Sequence, residues 1–175
     1  MRKNIPLLTL IFSLLLQPVL FSQNLDKFYS RRVQEGGDIF FVFPNNDFEN
    51  TVNHSDFIFD VTLREGNDTT HINFTYYTSE PSPARQLSIK SGDFETTAPT
   101  EKLYVDFVKH KWEHRYSASF TVDDLQKAMT SATPCQFRVE TKNESLEYAV
   151  RHKKWQKYIA AFDKVFYIIF PERFE

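Results

Sequence analysis

Near the C-terminus Trp155, Tyr158, Ile159, Phe162, Val165, Phe166, Ile169 and Phe170 recur at steps of three and four. That spacing places them on one broad helical face. A face so apolar needs a cover, and this demand constrains the rest of the chain. The helix starts near His152 and stops at Pro171, whose ring cannot continue it. Upstream, the readable elements are strands, and strands are what can cover it.

Asp56 to Arg64 alternates, with Phe57, Phe59, Val61 and Leu63 on one face. Thr70 to Tyr77 repeats the pattern through Ile72, Phe74 and Tyr76. Glu65-Gly66-Asn67-Asp68 joins the two as a hairpin loop, because Gly and Asn tolerate positive φ. Asp38 to Phe43 is a short buried strand closed by Pro44-Asn45-Asn46-Asp47. Asn24 to Gly37 has weak helical spacing and reads as a linker or one short helix. Glu80-Pro81-Ser82-Pro83 is a loop or sheet edge. Gln86 to Lys90 can form a short strand. Ser91 to Thr100 is polar, contains Gly92 and Pro99, and reads as a loop. Leu103, Val105 and Phe107 form a strand, and Tyr116, Ala118 and Phe120 a return strand. Thr121 caps a helix over 122–132, with Asp123 and Asp124 suited to the positive end of its dipole. Phe137 and Val139 alternate, Lys142 to Ser145 turns, and Leu146, Tyr148 and Val150 return.

Seven to nine strands and two helices therefore predict an α+β fold. Its sheet is mainly antiparallel, because short turns join the strands. A sandwich-like stacking is one form it can take. The short helix near 122–132 and the C-terminal helix pack on the sheet. The predicted organisation is a signal peptide over 1–22, the linker or short helix over 23–37, and a single domain over 38–175.

The leader reading rests on Arg2 and Lys3 followed by the apolar run Ile5 to Leu16. That run is shorter than the roughly 20 residues a bilayer span needs. The expectation is a cleaved leader, a secreted or periplasmic protein, and no transmembrane segment after cleavage. The leader carries two of the 21 basic residues and none of the 23 acids, so the remainder is 19 against 23, a net of −4. Such a balance disfavours nucleic-acid binding. Cys135 is the sole cysteine, so no internal disulfide can form. Stability then depends on a core built from 18 Phe, 8 Tyr and 2 Trp. Asn53, Asn67, Asn73 and Asn143 begin sequons, which a eukaryotic secretory pathway could glycosylate.

Candidate chemistry is sparse. In Lys109-His110-Lys111-Trp112-Glu113-His114-Arg115, a continuing strand places His110, Trp112 and His114 on one face. Two imidazoles with Asp106 as a third ligand could hold a transition metal, although such a site needs three or four convergent donors. The spacing is not that of a His-Glu-x-x-His protease. Trp112 between cations could instead stack on a sugar ring or meet an anionic glycan. Arg151-His152-Lys153-Lys154 with Lys157 is a second basic group, at a helix start where positive charge is mildly costly. Cys135 reads as a small buried hydrophobe. No nucleophile elbow or phosphate-binding glycine loop occurs, so no cofactor is implied.

The segments Asp124 to Met129, Cys135 to Glu140, Leu146 to Val150 and Trp155 to Ile159 resemble a pattern seen in uncharacterised bacterial periplasmic proteins. In these a short helix precedes two strands and a terminal helix closes the sheet. The resemblance covers about 50 residues and implies a fold and no functional residue. The sequence thus points to a non-enzymatic module with a protein or glycan partner. A metal-assisted hydrolase using His110 and His114 is the alternative.

Overall fold

A computed structural model describes residues 28–43 and 47–173. The predicted leader and residues 23–27 lie outside them. Ten strands are present: β1 (Tyr29–Arg32), β2 (Ile39–Val42), β3 (Phe48–Asn50), β4 (Asp56–Arg64), β5 (Thr69–Thr78), β6 (Ala84–Ser91), β7 (Phe94–Val108), β8 (Lys111–Thr121), β9 (Gln136–Thr141) and β10 (Ser145–Val150). Helix α1 (Val122–Met129) follows β8. Helix α2 (His152–Ile169) follows β10 and leads into a 3₁₀ turn over Pro171–Arg173.

The expected sandwich-like α+β sheet is not what forms. Eight antiparallel strands close into a barrel, in the order β3-β4-β5-β8-β7-β6-β9-β10, and β10 pairs back onto β3. β1 and β2 are additional, with β2 laid against the end of β4 that β3 leaves free. The fold departs from the local patterning in two places. Ser91 to Thr100 is not a loop: Asp93 and Gly92 (φ 60°) make a two-residue turn, and β7 begins at Phe94. Pro99 is tolerated because β7 changes neighbours there. Its pairing with β6 ends at Pro99 and its pairing with β8 starts at Thr100. Second, Tyr29 to Arg32 is a strand rather than a helix, held antiparallel to β2.

The barrel is filled. Phe57 from β4 meets Phe74 of β5, Phe137 of β9 and Tyr148 of β10, at ring-centroid distances of 5.6, 4.9 and 4.7 Å. Rings from opposing walls therefore touch, and an eight-stranded barrel is narrow enough for side chains to fill. In an antiparallel barrel the connections alternate between two ends. One end carries the 65–68 and 92–93 turns and the starts of both helices; the other carries the loops 51–55, 79–83, 109–110 and 142–144.

The helices close the first end. Thr121 caps α1 by accepting the Asp124 N–H at 3.1 Å, and the Val122 N–H reaches the Asp68 carbonyl in the 65–68 turn at 2.8 Å. The stripe anticipated on α2 is buried through Trp155, Tyr158, Phe162, Val165, Phe166 and Ile169. Phe48 joins it to the barrel, edge-on to Trp155 at 6.5 Å and to Phe137 at 5.2 Å. The Trp155 Nε1–H donates to the Ser131 carbonyl at 2.8 Å, tying α2 to the segment after α1.

Candidate functional site at the loop end

The loop end differs in what it leaves in contact with water. β7 and β8 continue past the rim as a two-stranded arm. β6 pairs with β7 only as far as Pro99, and β8 pairs with it from Thr100 to Val108. Among the described residues no strand lies along the outer edge of Glu101 to Val108. A bulge at Leu103, between Lys102 and Tyr104, bends the strand as the arm begins. The turn at its tip is Lys109-His110, with φ of 50° and 65°. A two-residue hairpin turn with both φ values positive suits Asn-Gly. Here a lysine and a histidine occupy it, at a conformational cost.

Side chains alternate along the arm. Val105 pairs with His114 and Phe107 with Trp112, so these four share the face that continues the barrel interior. Phe107 and Trp112 are in contact at 5.4 Å. The other face carries Tyr104, Asp106, Glu113 and, from β5, Tyr77. The Tyr104 hydroxyl donates to Glu113 Oε1 at 2.5 Å. That bond to Glu113, then burial, push the Tyr104 hydroxyl above its ordinary value. Burial, and then the charge of Glu113, raise Tyr77 to about 12. Both phenols therefore stay neutral donors at any physiological pH.

Leu103, Tyr104, Phe107 and Val108 are exposed, at 47, 43, 54 and 36%. They are four of nine exposed large apolar residues among those described, gathered into six positions. Beside the arm, Asp56, Tyr77, Lys109, Lys111 and Glu113 line a shallow cleft of about 480 Å³. A second, of about 240 Å³, lies between the 79–83 and 142–144 loops beside Asn53, Ser82 and Glu144. The rim loops are pinned by their own side chains. Asn50 Oδ1 accepts the Val52 and Asn53 N–H groups at 2.9 and 3.0 Å, and Thr141 Oγ1 accepts those of Asn143 and Glu144 at 3.2 and 3.0 Å.

The proposed metal set is not brought together. His110 sits in the exposed turn. His114 is fully buried inside the barrel. Asp106 lies on the opposite face of the arm, across from Glu113. The turn is what separates them, because the strand does not run on through His110. Among the described residues no three His, Cys, Asp or Glu side chains converge as a metal site. His114 stacks on Tyr76 at 4.7 Å, nearly parallel. Its Nε2 is 2.8 Å from Thr78 Oγ1, which donates its own proton to the Glu80 carbonyl at 2.5 Å. Nε2 also accepts the Ser82 N–H at 3.4 Å, and Nδ1 is buried and has no partner. Burial also lowers the His114 pKa, so the ring is neutral.

Other candidates resolve as structure. Burial pushes the Cys135 thiol far up, out of reach of thiolate chemistry. From the second basic group, Lys154 pairs with Asp47, which also accepts the Tyr158 hydroxyl at 3.0 Å. Burial raises the Asp47 carboxyl, and the Lys154 and Tyr158 hydrogen bonds together with the Lys154 and Lys157 charges outweigh it. Sequence reasoning singled out Trp112 and passed over its neighbours Leu103, Tyr104, Phe107 and Val108. Their signal was available: a strand apolar on both faces leading to a two-residue turn.

No protein-family model, no curated protein and no solved structure matches this chain.

Proposed function

We propose that the chain is a non-enzymatic binding module, exported to the periplasm or cell exterior, whose contact element is the β7–β8 arm. The observation that carries this reading is the clustering of exposed apolar side chains over 103–108 on an arm that leaves the barrel. Contiguous exposed apolar surface marks an interaction site far more often than scattered residues do. Aromatic residues beside Lys109 and Lys111 give it the composition of a contact surface for a protein or a glycan. The basic n-region, the apolar run to Leu16 and the sole cysteine support export, as does the resemblance of the tail to periplasmic proteins.

A photo-crosslinking amino acid placed at Phe107 in the native cell tests this, with Lys164 on the outer face of α2 as reference. Discrete adducts from position 107 and none from 164 are expected. Equal labelling from both, or none from 107, overturns the assignment. Intact mass of the purified protein reads out export: loss of the leader is expected, and a retained leader sinks that part.

A further inference from the structure

We infer that the arm pairs with a second copy of this chain, edge to edge along β7, forming an antiparallel two-fold junction centred on Val105. The inference rests on the arm being the contact element and names its partner.

The backbone provides the first reason. The two-residue turn closes on the Val108–Lys111 pair, and hydrogen-bonded and open pairs alternate from there. The N–H and C=O groups of Phe107 and Val105 therefore point away from β8, toward the unpaired edge. Phe107 bears this out, because its N–H is taken by the Asp106 carboxylate of the neighbouring residue at 2.7 Å. A local side chain stands where a strand's carbonyl would be. Edges left this way template pairing with another chain.

The register provides the second. Outward-pointing groups must face one another, so Phe107 and Val105 have to meet odd-numbered residues of the second copy. Centred on Val105, that pairs the half-buried Val105 with Val105 and joins Leu103 to Phe107, both of which stand exposed in the single chain. Tyr104 then faces Asp106, and the pairing stops at the Leu103 bulge, beyond which Glu101 turns its backbone toward Ser117 of β8. Each contact occurs twice about the axis. A shift one way centres the pairing on Asp106 and puts two carboxylates opposite, which is unfavourable. A shift the other way runs Phe107 past the Leu103 bulge, where the outward pattern of the strand breaks and no apolar partner faces it. Charge and apolar content thus select one register for a second copy. A heterologous peptide would have no reason to match this order read in both directions.

Sedimentation velocity of the purified protein over about 1–300 μM tests it, the range in which a small junction should dissociate. We expect a monomer–dimer equilibrium. Val105→Pro removes an outward N–H and part of a half-buried side chain, so it should weaken dimerisation at least tenfold while the melting temperature falls by only a few degrees. Tyr104→Asp should weaken it about fivefold by facing Asp106 of the second copy, and adding Asp106→Lys should restore it. The charge pair guards against a Val105→Pro variant that misfolds. A monomer at every concentration overturns the inference. If position 107 still crosslinks to a different protein, the arm remains the contact element and only the partner was misassigned. A dimer indifferent to Val105→Pro and to the charge changes also overturns it.

Discussion

The two ends of the barrel solve opposite problems with similar residues. At the helix end Phe48, Trp155, Tyr158, Phe162 and Phe166 are buried against one another and the barrel floor. At the loop end Phe107 and Tyr104 stand in water, and the interior beneath them is polar, with His114, Ser82 and the Tyr76 hydroxyl, which donates to the Ser82 carbonyl at 2.5 Å. A filled barrel needs its apolar column covered at one end only, provided a polar layer terminates the other. That leaves the loop end free to carry surface that does not stabilise the fold. Aromatic content therefore means core at one end and contact surface at the other.

The comparison breaks most visibly at the two tryptophans. Trp155→Ala removes a fully buried indole and its bond to Ser131, and should cost about 3–5 kcal/mol in urea unfolding. Trp112→Ala removes a partly exposed indole that touches Phe107, and should cost about 1 kcal/mol or less. Equal costs would mean that the arm belongs to the core.

The polar layer can be probed by acid. His114 has its pKa lowered by burial, so below about 6.5 the unfolded chain binds a proton that the folded chain refuses. Stability should therefore fall as pH drops from 6.5 toward the depressed folded value, and level out above it. The slope from one such group is at most about 1.4 kcal/mol per pH unit. His114→Phe keeps the stack on Tyr76 and should flatten the slope between pH 5 and about 6.5. An unchanged slope would place the acid sensitivity elsewhere.

Much of this was legible in the sequence, and unevenly. The hairpin of β4 and β5, the Thr121 cap and the apolar stripe of α2 are local periodicities, and local periodicity is what a sequence displays. Barrel closure is not local. It depends on β3 reaching β10 across a separation of about 100 residues, and on Ser91 to Thr100 pairing despite a glycine and a proline. The site was half visible for the same reason. Trp112 stood out by type, whereas the grouping of His110 with His114 assumed a strand that instead turns at Lys109. Phe107 read as one more residue of an alternating strand, because nothing in its own segment says that β6 stops at Pro99.

The arm's tip gives a smaller effect of opposite sign. Lys109 and His110 both hold positive φ, which Asn-Gly adopts at much lower cost. Replacing the pair with Asn-Gly should raise stability by about 1 kcal/mol. Chemical denaturation reads this directly. A loss of stability would show that the two side chains make contacts outweighing their strain.

The smallest expected effect decides most about function. Phe107 is more than half exposed and touches Trp112, on an arm whose outer edge has no partner. Phe107→Ser should shift folding stability by no more than about 0.5 kcal/mol, the usual range for a surface position. An exposed phenylalanine that contributes nothing to the fold still carries a solubility cost, so its place needs another reason. If Phe107→Ser leaves the melting temperature unchanged and abolishes the crosslinks made from a photo-reactive residue moved to Tyr104, binding is that reason. If it lowers the melting temperature as far as a core truncation does, the arm packs more tightly than its exposure implies. The contrast between the two ends would then fail at its most exposed residue.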